Sequence, residues 1–322
     1  MKLSLKKPRL KQRRPKGRQN EVTSGERWAA LAYLTPSLIG VLVFFVLPFG
    51  RIVLYAVTDN PVNLEFVGFD NFISVMGNRA FQDAAKNTFM FSIIAVPLAV
   101  VLALMLAMVL EAKIPGKSRF RTFFLSPMMV PVASVVLIWQ VIFHYNGALN
   151  AFLGDSSIFQ QLWTFFSDDP YRAIDWIKTD QAIGRVVIVL LFLWKNLGYN
   201  MILFMSALGN IPKEQIEAAA VDGASAFRRF WVIKFRYLSP SILFVTILSL
   251  INSFKVFREV YLLTGNYGVG PFYLLQHFMN NTFRNMDYQK LSSAAIMMAI
   301  VVVIIIGAMF LIEDRFGKDV EQ

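Results

Sequence analysis

The chain has 322 residues, of which 56% are hydrophobic and only 16% charged, with 30 phenylalanines. That balance excludes an ordinary soluble domain and predicts an all-α polytopic membrane protein. There is no cysteine and there are only two histidines, His144 and His277. Disulfide frameworks, thiolate metal sites and cysteine nucleophiles are therefore excluded, and two lone imidazoles cannot build a metal cluster by themselves.

The formal net charge of +11 begins in the opening stretch, MKLSLKKPRLKQRRPKGRQN. A juxtamembrane segment that fixes orientation and touches anionic membrane lipid accounts for it, with no call for nucleic acid. The apolar run behind it is long and has no clear small-residue cleavage site, so the expectation is a span rather than a removed signal. Six runs are long enough to cross a hydrocarbon core of about 30 Å. They are Ala29–Val57, Asn87–Leu110, Phe120–Phe143, Ala182–Leu208, Ser239–Leu263 and Leu291–Ile312. Placing the N-terminus in the cytoplasm puts 21 Lys and Arg against 10 Asp and Glu inside, and 7 against 10 outside. The bias of cationic residues toward the cytoplasmic face then predicts both termini inside. The expected division is a basic cytoplasmic tail (1–27), a first span with its external loop (28–86), a five-helix core (87–313) and a C-terminal tail (314–322).

In the fourth run, LWKNLGYNM sets Lys195 four residues from Tyr199 and Asn196 four from Asn200, so each pair shares a helix face. In the fifth, Ser249, Asn252, Lys255 and Glu259 follow steps of three, three and four, a polar stripe on a greasy helix. Ionisable residues within a span are costly and face a partner or a cavity. Two readings stand: these groups bond one another or a sister subunit, or they line a polar path through the membrane. Lys195 has no acid within a turn of its own helix, which singles it out as a contact for an anionic solute.

Between those two runs lies a polar insert, residues 211–237. Pro212 opens it, Glu214, Gln215 and Glu217 suit a first helical turn, and Gly223 interrupts the strong helix formers. Phe227, Phe230 and Trp231 follow about one turn apart, giving a helix–turn–helix at the membrane surface. From the residues alone it serves equally as an interfacial connector or as a docking element. No G-x-x-x-x-G-K-[ST] phosphate loop occurs, since GKS at Gly116–Ser118 lacks the earlier glycine. The glycine-rich LTGNYGVGP at Leu263–Pro271 follows a membrane helix and is expected to be an external turn.

The stretch EAAAVDGASAFRRFWVI resembles the EAA motif of permease subunits of ATP-binding-cassette importers, with Glu217, Ala218, Ala219, Gly223 and Ile233 at the matching positions. The family pattern continues Ile-x-Leu-Pro, where this chain has Phe235 and Arg236. YLTPSLIGVLVFFVLPF, FRTFFLSPMMVPVASVVLIWQVIF and FKVFREVYLLTG extend the resemblance to the carbohydrate branch. The resemblance implies the type I importer permease fold and a heterodimer with a second homologous permease. It also implies two cytoplasmic ATPases, an extracytoplasmic solute-binding protein and an oligosaccharide substrate, in a bacterial or archaeal cytoplasmic membrane. ATP and Mg would be bound by the ATPase partners, with no cofactor in this chain, and the EAA residues would couple to them. An ion-coupled secondary transporter, marked by discontinuous helices and inverted repeats, and a permease for a non-sugar solute are the alternatives.

Overall fold

A computed structural model of the protein describes residues 24–111, 115–166, 172–177, 181–265, 268 and 270–317. Most of the basic tail, the last residues of the chain and part of the glycine-rich turn after Leu263 lie outside them. The described residues contain no strand beyond an isolated bridge between Thr58 and Phe66. Six helical segments among them are long and apolar enough to span a membrane: Leu31–Ala56, Arg79–Glu111, Val132–Asp155, Ala182–Gly209, Ala226–Thr264 and Tyr288–Asp314.

The chain divides into two compact units, Met1–Arg51 and Ile52–Gln322. The first holds α1 (Ser24–Val41), one π-helical turn, Leu42–Val46, and the beginning of α2 (Leu47–Ala56). Leu34, Leu38, Phe44, Phe45 and Phe49 are all exposed, so this helix presents apolar side chains all round, as a lipid-embedded span does.

In the second unit α3 (Asp70–Gly77) leads into α4 (Arg79–Glu111), whose two faces differ in residue size. Ala84, Thr88, Ser92, Ala95, Ala99, Ala103 and Ala107 are buried, while Phe89, Ile93, Val101, Met105 and Val109 are exposed. Lipid is as apolar as leucine, so helices associate in it through close packing and polar bonds, and a small-residue stripe permits that approach. The long α9 (Gln181–Gly209) packs along this stripe.

Between them come α5 (Lys117–Met129), α6 (Val132–Phe143), α7 (Ala148–Asp155) and α8 (Ser157–Phe166). The third run, expected as one helix over Phe120–Phe143, is therefore two. Pro131 lacks an N–H and drives Val130 into an extended conformation (φ −79, ψ 133), which ends α5. Gly198 of α9 then meets the backbone of α5 directly: a Cβ there would collide with the Phe124 carbonyl. Toward the end of the third spanning segment, Asn150 ties residues before and after it together. Its Nδ2 donates to the carbonyls of Tyr145 and Ile174, and its Oδ1 accepts from Ile174 N–H and Trp176 Nε1.

The polar insert forms α10 (Lys213–Val221) and α11 (Ala226–Arg229), after which one π-helical turn, Phe230–Lys234, runs directly into α12 (Phe235–Phe254). The insert's second half is thus continuous with the fifth span rather than a separate surface helix. Phe235 and Arg236 form the first residues of α12. The fifth span in turn breaks at Lys255–Val256, and α13 (Phe257–Thr264) begins anew. The stripe expected on one straight helix is therefore divided between two. A short 3-10 segment, α14 (Leu275–Arg284) and α15 (Tyr288–Gly317) complete the unit.

Two buried clusters stack along α9. One gathers Phe91, Val135, Trp139, Ile188, Phe192 and Val260; the other gathers Ala103, Met201, Phe204, Leu238 and Val245. Polar bonds pin the packing: Ser92 to Ser253 at 2.9 Å, Thr88 Oγ1 accepting from Leu275 N–H at 2.8 Å, and Asn87 Nδ2 donating to the Gly270 carbonyl at 2.8 Å. Each satisfies groups that lipid cannot.

Candidate translocation cavity and coupling loop

Between the two clusters, α9 turns a polar segment toward a cavity of about 600 Å³. Lys195, Asn196 and Tyr199 from α9 line it with Asn252 from α12 and Lys255, Arg258 and Glu259 around the helix break. Met128 of α5 and Gln276 of α14 close its sides. The break itself has a backbone signature, since Lys255 sits at φ −89, ψ −2 and its N–H returns to the Asn252 carbonyl at 3.0 Å. Ending α12 there turns Val256–Glu259, the first turn of a new helix, into cavity wall.

The expected polar residues separate into two groups. Asn252 Nδ2 donates to Asn196 Oδ1 at 3.1 Å, and both remain on the cavity surface. Asn200 and Ser249 do not reach it: Asn200 Nδ2 donates to Ser249 Oγ at 2.8 Å, and both side chains are fully buried between α9 and α12. Their geometry is that of an interhelical tie rather than a lining. Lys195, singled out for having no acid nearby, has one in space: Glu259 of α13 forms an ion pair with it. Glu259 is buried, and its second carboxylate oxygen has no hydrogen-bond partner among the described residues. Lys255 and Arg258 are exposed to the cavity with no ion-pair partner among the described residues. Arg258 joins the lining although no sequence pattern singled it out. Gln276 had no sequence signal, because it reaches the cavity from an external segment.

Aromatic rings continue from this region along α6. Trp194 meets Trp139 edge-on, Trp139 stacks on Phe143 at 5.0 Å, and Phe143 meets Trp176. Next to the cavity, His277 is wholly buried against Phe257, and its Nδ1 accepts from Leu274 N–H at 3.3 Å. Burial lowers its pKa from 6.5 to about 4. His144 lies exposed at the end of α6, where Nδ1 accepts from Asn146 N–H. No group of three or more metal-ligating residues occurs among the described residues.

In the polar insert, α10 closes with a glycine in the left-handed region. Gly223 has φ +79, its N–H donates to the Ala220 carbonyl at 3.1 Å, and Ala224 N–H donates to Ala219 at 2.9 Å. That pair of bonds is the Schellman motif, which needs a residue without a Cβ penalty at this position. Ser225 then caps α11 by accepting from Arg228 N–H at 3.3 Å. Glu217, Ala218 and Gly223 are exposed, whereas Ile233 is half-buried with Ile216 against the cluster of α4, α9 and α12. Ala219, Gly223, Arg228 and Ile233 surround a hollow of about 310 Å³. A salt bridge of 2.7 Å from Lys234 Nζ to Glu111 at the end of α4 anchors the π-helical turn that follows.

Comparison with known proteins places this architecture. Residues 95–322 match the family described as binding-protein-dependent transport system inner membrane component. The chain is 31% identical over 287 residues to the sn-glycerol-3-phosphate transport system permease protein UgpA of Rhizobium meliloti (strain 1021), covering 86% of this chain and 91% of that one. It is 30% identical to the multiple sugar-binding transport system permease protein MsmF of Streptococcus mutans serotype c, covering 90% and 95%. Its fold is like that of a chain in the crystal structure of a bacterial alginate ABC transporter in complex with an alginate pentasaccharide-bound periplasmic protein. The TM-score is 0.73 at 19% identity, over 91% of this chain and 96% of that one. A multi-helix membrane protein matched over most of its length by permeases, this chain belongs to the family of binding-protein-dependent transport system inner membrane components.

Proposed function

We propose that the chain is the membrane-spanning permease subunit of an ATP-driven importer that brings an oligosaccharide into the cytoplasm of a bacterium. The observation that carries the reading is the pairing of a polar cavity within the spans with an exposed, glycine-closed helical loop that is continuous with the helix lining that cavity. Movement of the loop is transmitted along α11, the π-helical turn and α12 to Asn252 and Lys255. The loop residues Glu217, Ala218, Ala219, Gly223 and Ile233 form the docking face for a cytoplasmic ATPase, which binds ATP and Mg and supplies the energy. A second homologous permease completes the path, a second ATPase completes the motor, and an extracytoplasmic binding protein delivers the solute. In the cavity, Asn196, Tyr199, Asn252 and Gln276 offer the neutral hydrogen-bonding groups that sugar hydroxyls require. Relatives named for multiple sugars and for lactose, and a structural neighbour of an alginate transporter, support this solute class.

The break at Lys255–Val256 favours a second reading, since discontinuous helices also mark ion-coupled secondary transporters. Reconstitution with its partner subunits separates the two. Uptake of an oligosaccharide should require ATP inside and should stimulate ATP hydrolysis when the loaded binding protein is added. Uptake driven by an ion gradient without nucleotide would overturn the proposal, and ATP-driven uptake confined to amino acids or metals would overturn its solute class.

A further inference from the structure

We propose that the cavity selects an anionic saccharide, a polyhydroxylated solute bearing a carboxylate or phosphate group, and that Lys255 and Arg258 select the charge. The inference rests on the import reading above and narrows its substrate class. Three cationic side chains and one carboxylate line the cavity. Glu259 balances Lys195 through their ion pair, which leaves Lys255 and Arg258 unbalanced among the described residues. Two unbalanced cations facing a cavity within a span favour a solute that brings negative charge.

The local backbone makes the same demand. Val256, Phe257, Arg258 and Glu259 form the opening of α13 and all line the cavity. The first N–H groups of a helix lack intrahelical acceptors and carry the positive end of its dipole, a ready site for an anion. Lys255 sits at the C-terminal end of α12, where the opposite dipole end sustains its charge while the cavity is empty. An anionic group at the break thus finds Lys255, Arg258 and the start of a helix on one wall.

Neutral polar groups stand beside the cations: Asn196, Tyr199, Asn252 and Gln276 line the same cavity and suit hydroxyls. Hydroxyl partners beside a cationic pair and a helix start match a sugar acid or sugar phosphate. A neutral sugar leaves the cations unmatched.

The test uses the whole transporter, reconstituted with its ATPase, partner permease and binding protein and fuelled with ATP. Uptake is measured for a uronate tetrasaccharide, sn-glycerol 3-phosphate and a neutral tetrasaccharide. Wild type should transport one of the two anionic solutes, and which one identifies the recognised group. Lys255→Gln with Arg258→Gln should lower that uptake by about tenfold or more, the scale of losing a charge-assisted hydrogen bond. Lys255→Arg with Arg258→Lys, which keeps both charges, should retain clearly more uptake than the glutamine pair, since charge rather than shape is the selected property. Wild-type transport of the neutral sugar alone overturns the inference and leaves the import reading standing. Transport of none of the three overturns both. Equal losses in the two double variants, or no loss in the glutamine variant, assign Lys255 and Arg258 a structural role and overturn the inference.

Discussion

Gly223 has nothing within 4 Å of where a Cβ would stand, yet its φ of +79 is one that side-chain-bearing residues avoid. The cost of replacing it is therefore conformational, about 1–2 kcal/mol, and confined to the loop. Gly223→Val should leave insertion and expression intact while the ATPase retained on affinity purification of the complex falls several-fold. Unchanged retention would remove the docking role from this turn. His277 behaves differently, because its cost is electrostatic. Its folded pKa of about 4 lies below the ordinary 6.5, so between these values the unfolded chain binds more protons than the folded one. The stability contributed by the neutral buried ring is complete above about pH 6.5 and is lost as pH falls through that window, by up to roughly 3 kcal/mol. Thermal midpoints of the detergent-solubilised protein at pH 7.5 and 4.5 measure it, and the fall should be smaller in His277→Gln than in wild type. Equal falls would show that other groups carry the acid sensitivity.

At the scale of elements, the π-helical turn Phe230–Lys234 connects the loop to the helix that borders the cavity. A π turn inserts an extra residue into the helical ladder and recurs at functional sites. Here Lys234 fastens it to Glu111 of α4 with both side chains partly exposed, so the pair adds little stability, under about 1 kcal/mol. Its consequence is positional: it holds the turn against the end of a long, well-packed span. Glu111→Lys should leave the thermal midpoint nearly unchanged but lower sugar uptake per ATP hydrolysed, and the exchange Glu111→Lys with Lys234→Glu should recover it. Failure of the exchange to recover coupling, with the complex assembled, would mean that the contact is incidental.

For the whole molecule, the charge distribution orients the six spans. Tags placed at Lys2 and at Gln322 should both resist external protease in spheroplasts, and a tag at Ser156, in the segment knitted by Asn150, should be cut. Cutting of the terminal tags with a cytosolic marker spared would invert the orientation. The cavity sits where the two clusters along α9 leave a gap at residues 195–199, and the loop connects to it through a single continuous helix. Both halves of the proposed function therefore depend on one path, from Gly223 to Lys255.

The membrane class, the approximate spans and the existence of a polar loop were legible in the sequence, because hydrocarbon imposes a length and an apolarity that few other structures satisfy. Gly223 was legible too: a lone glycine among strong helix formers marks a C-terminal cap. The proline break before α6 was written at Pro131, although the continuous apolarity of the run concealed it. Other features depend on contacts between distant segments. The ion pair between Lys195 and Glu259 joins residues 64 apart, and no pattern within either helix announces it. The break at Lys255 has neither proline nor glycine to signal it. The same holds for the division of four similar polar residues, with Asn200 and Ser249 tied inside the helix interface and Asn196 and Asn252 left at the cavity. Residue types set what each group requires of its surroundings, whereas which group meets a partner and which meets a cavity is decided only when α9, α12 and α13 come together.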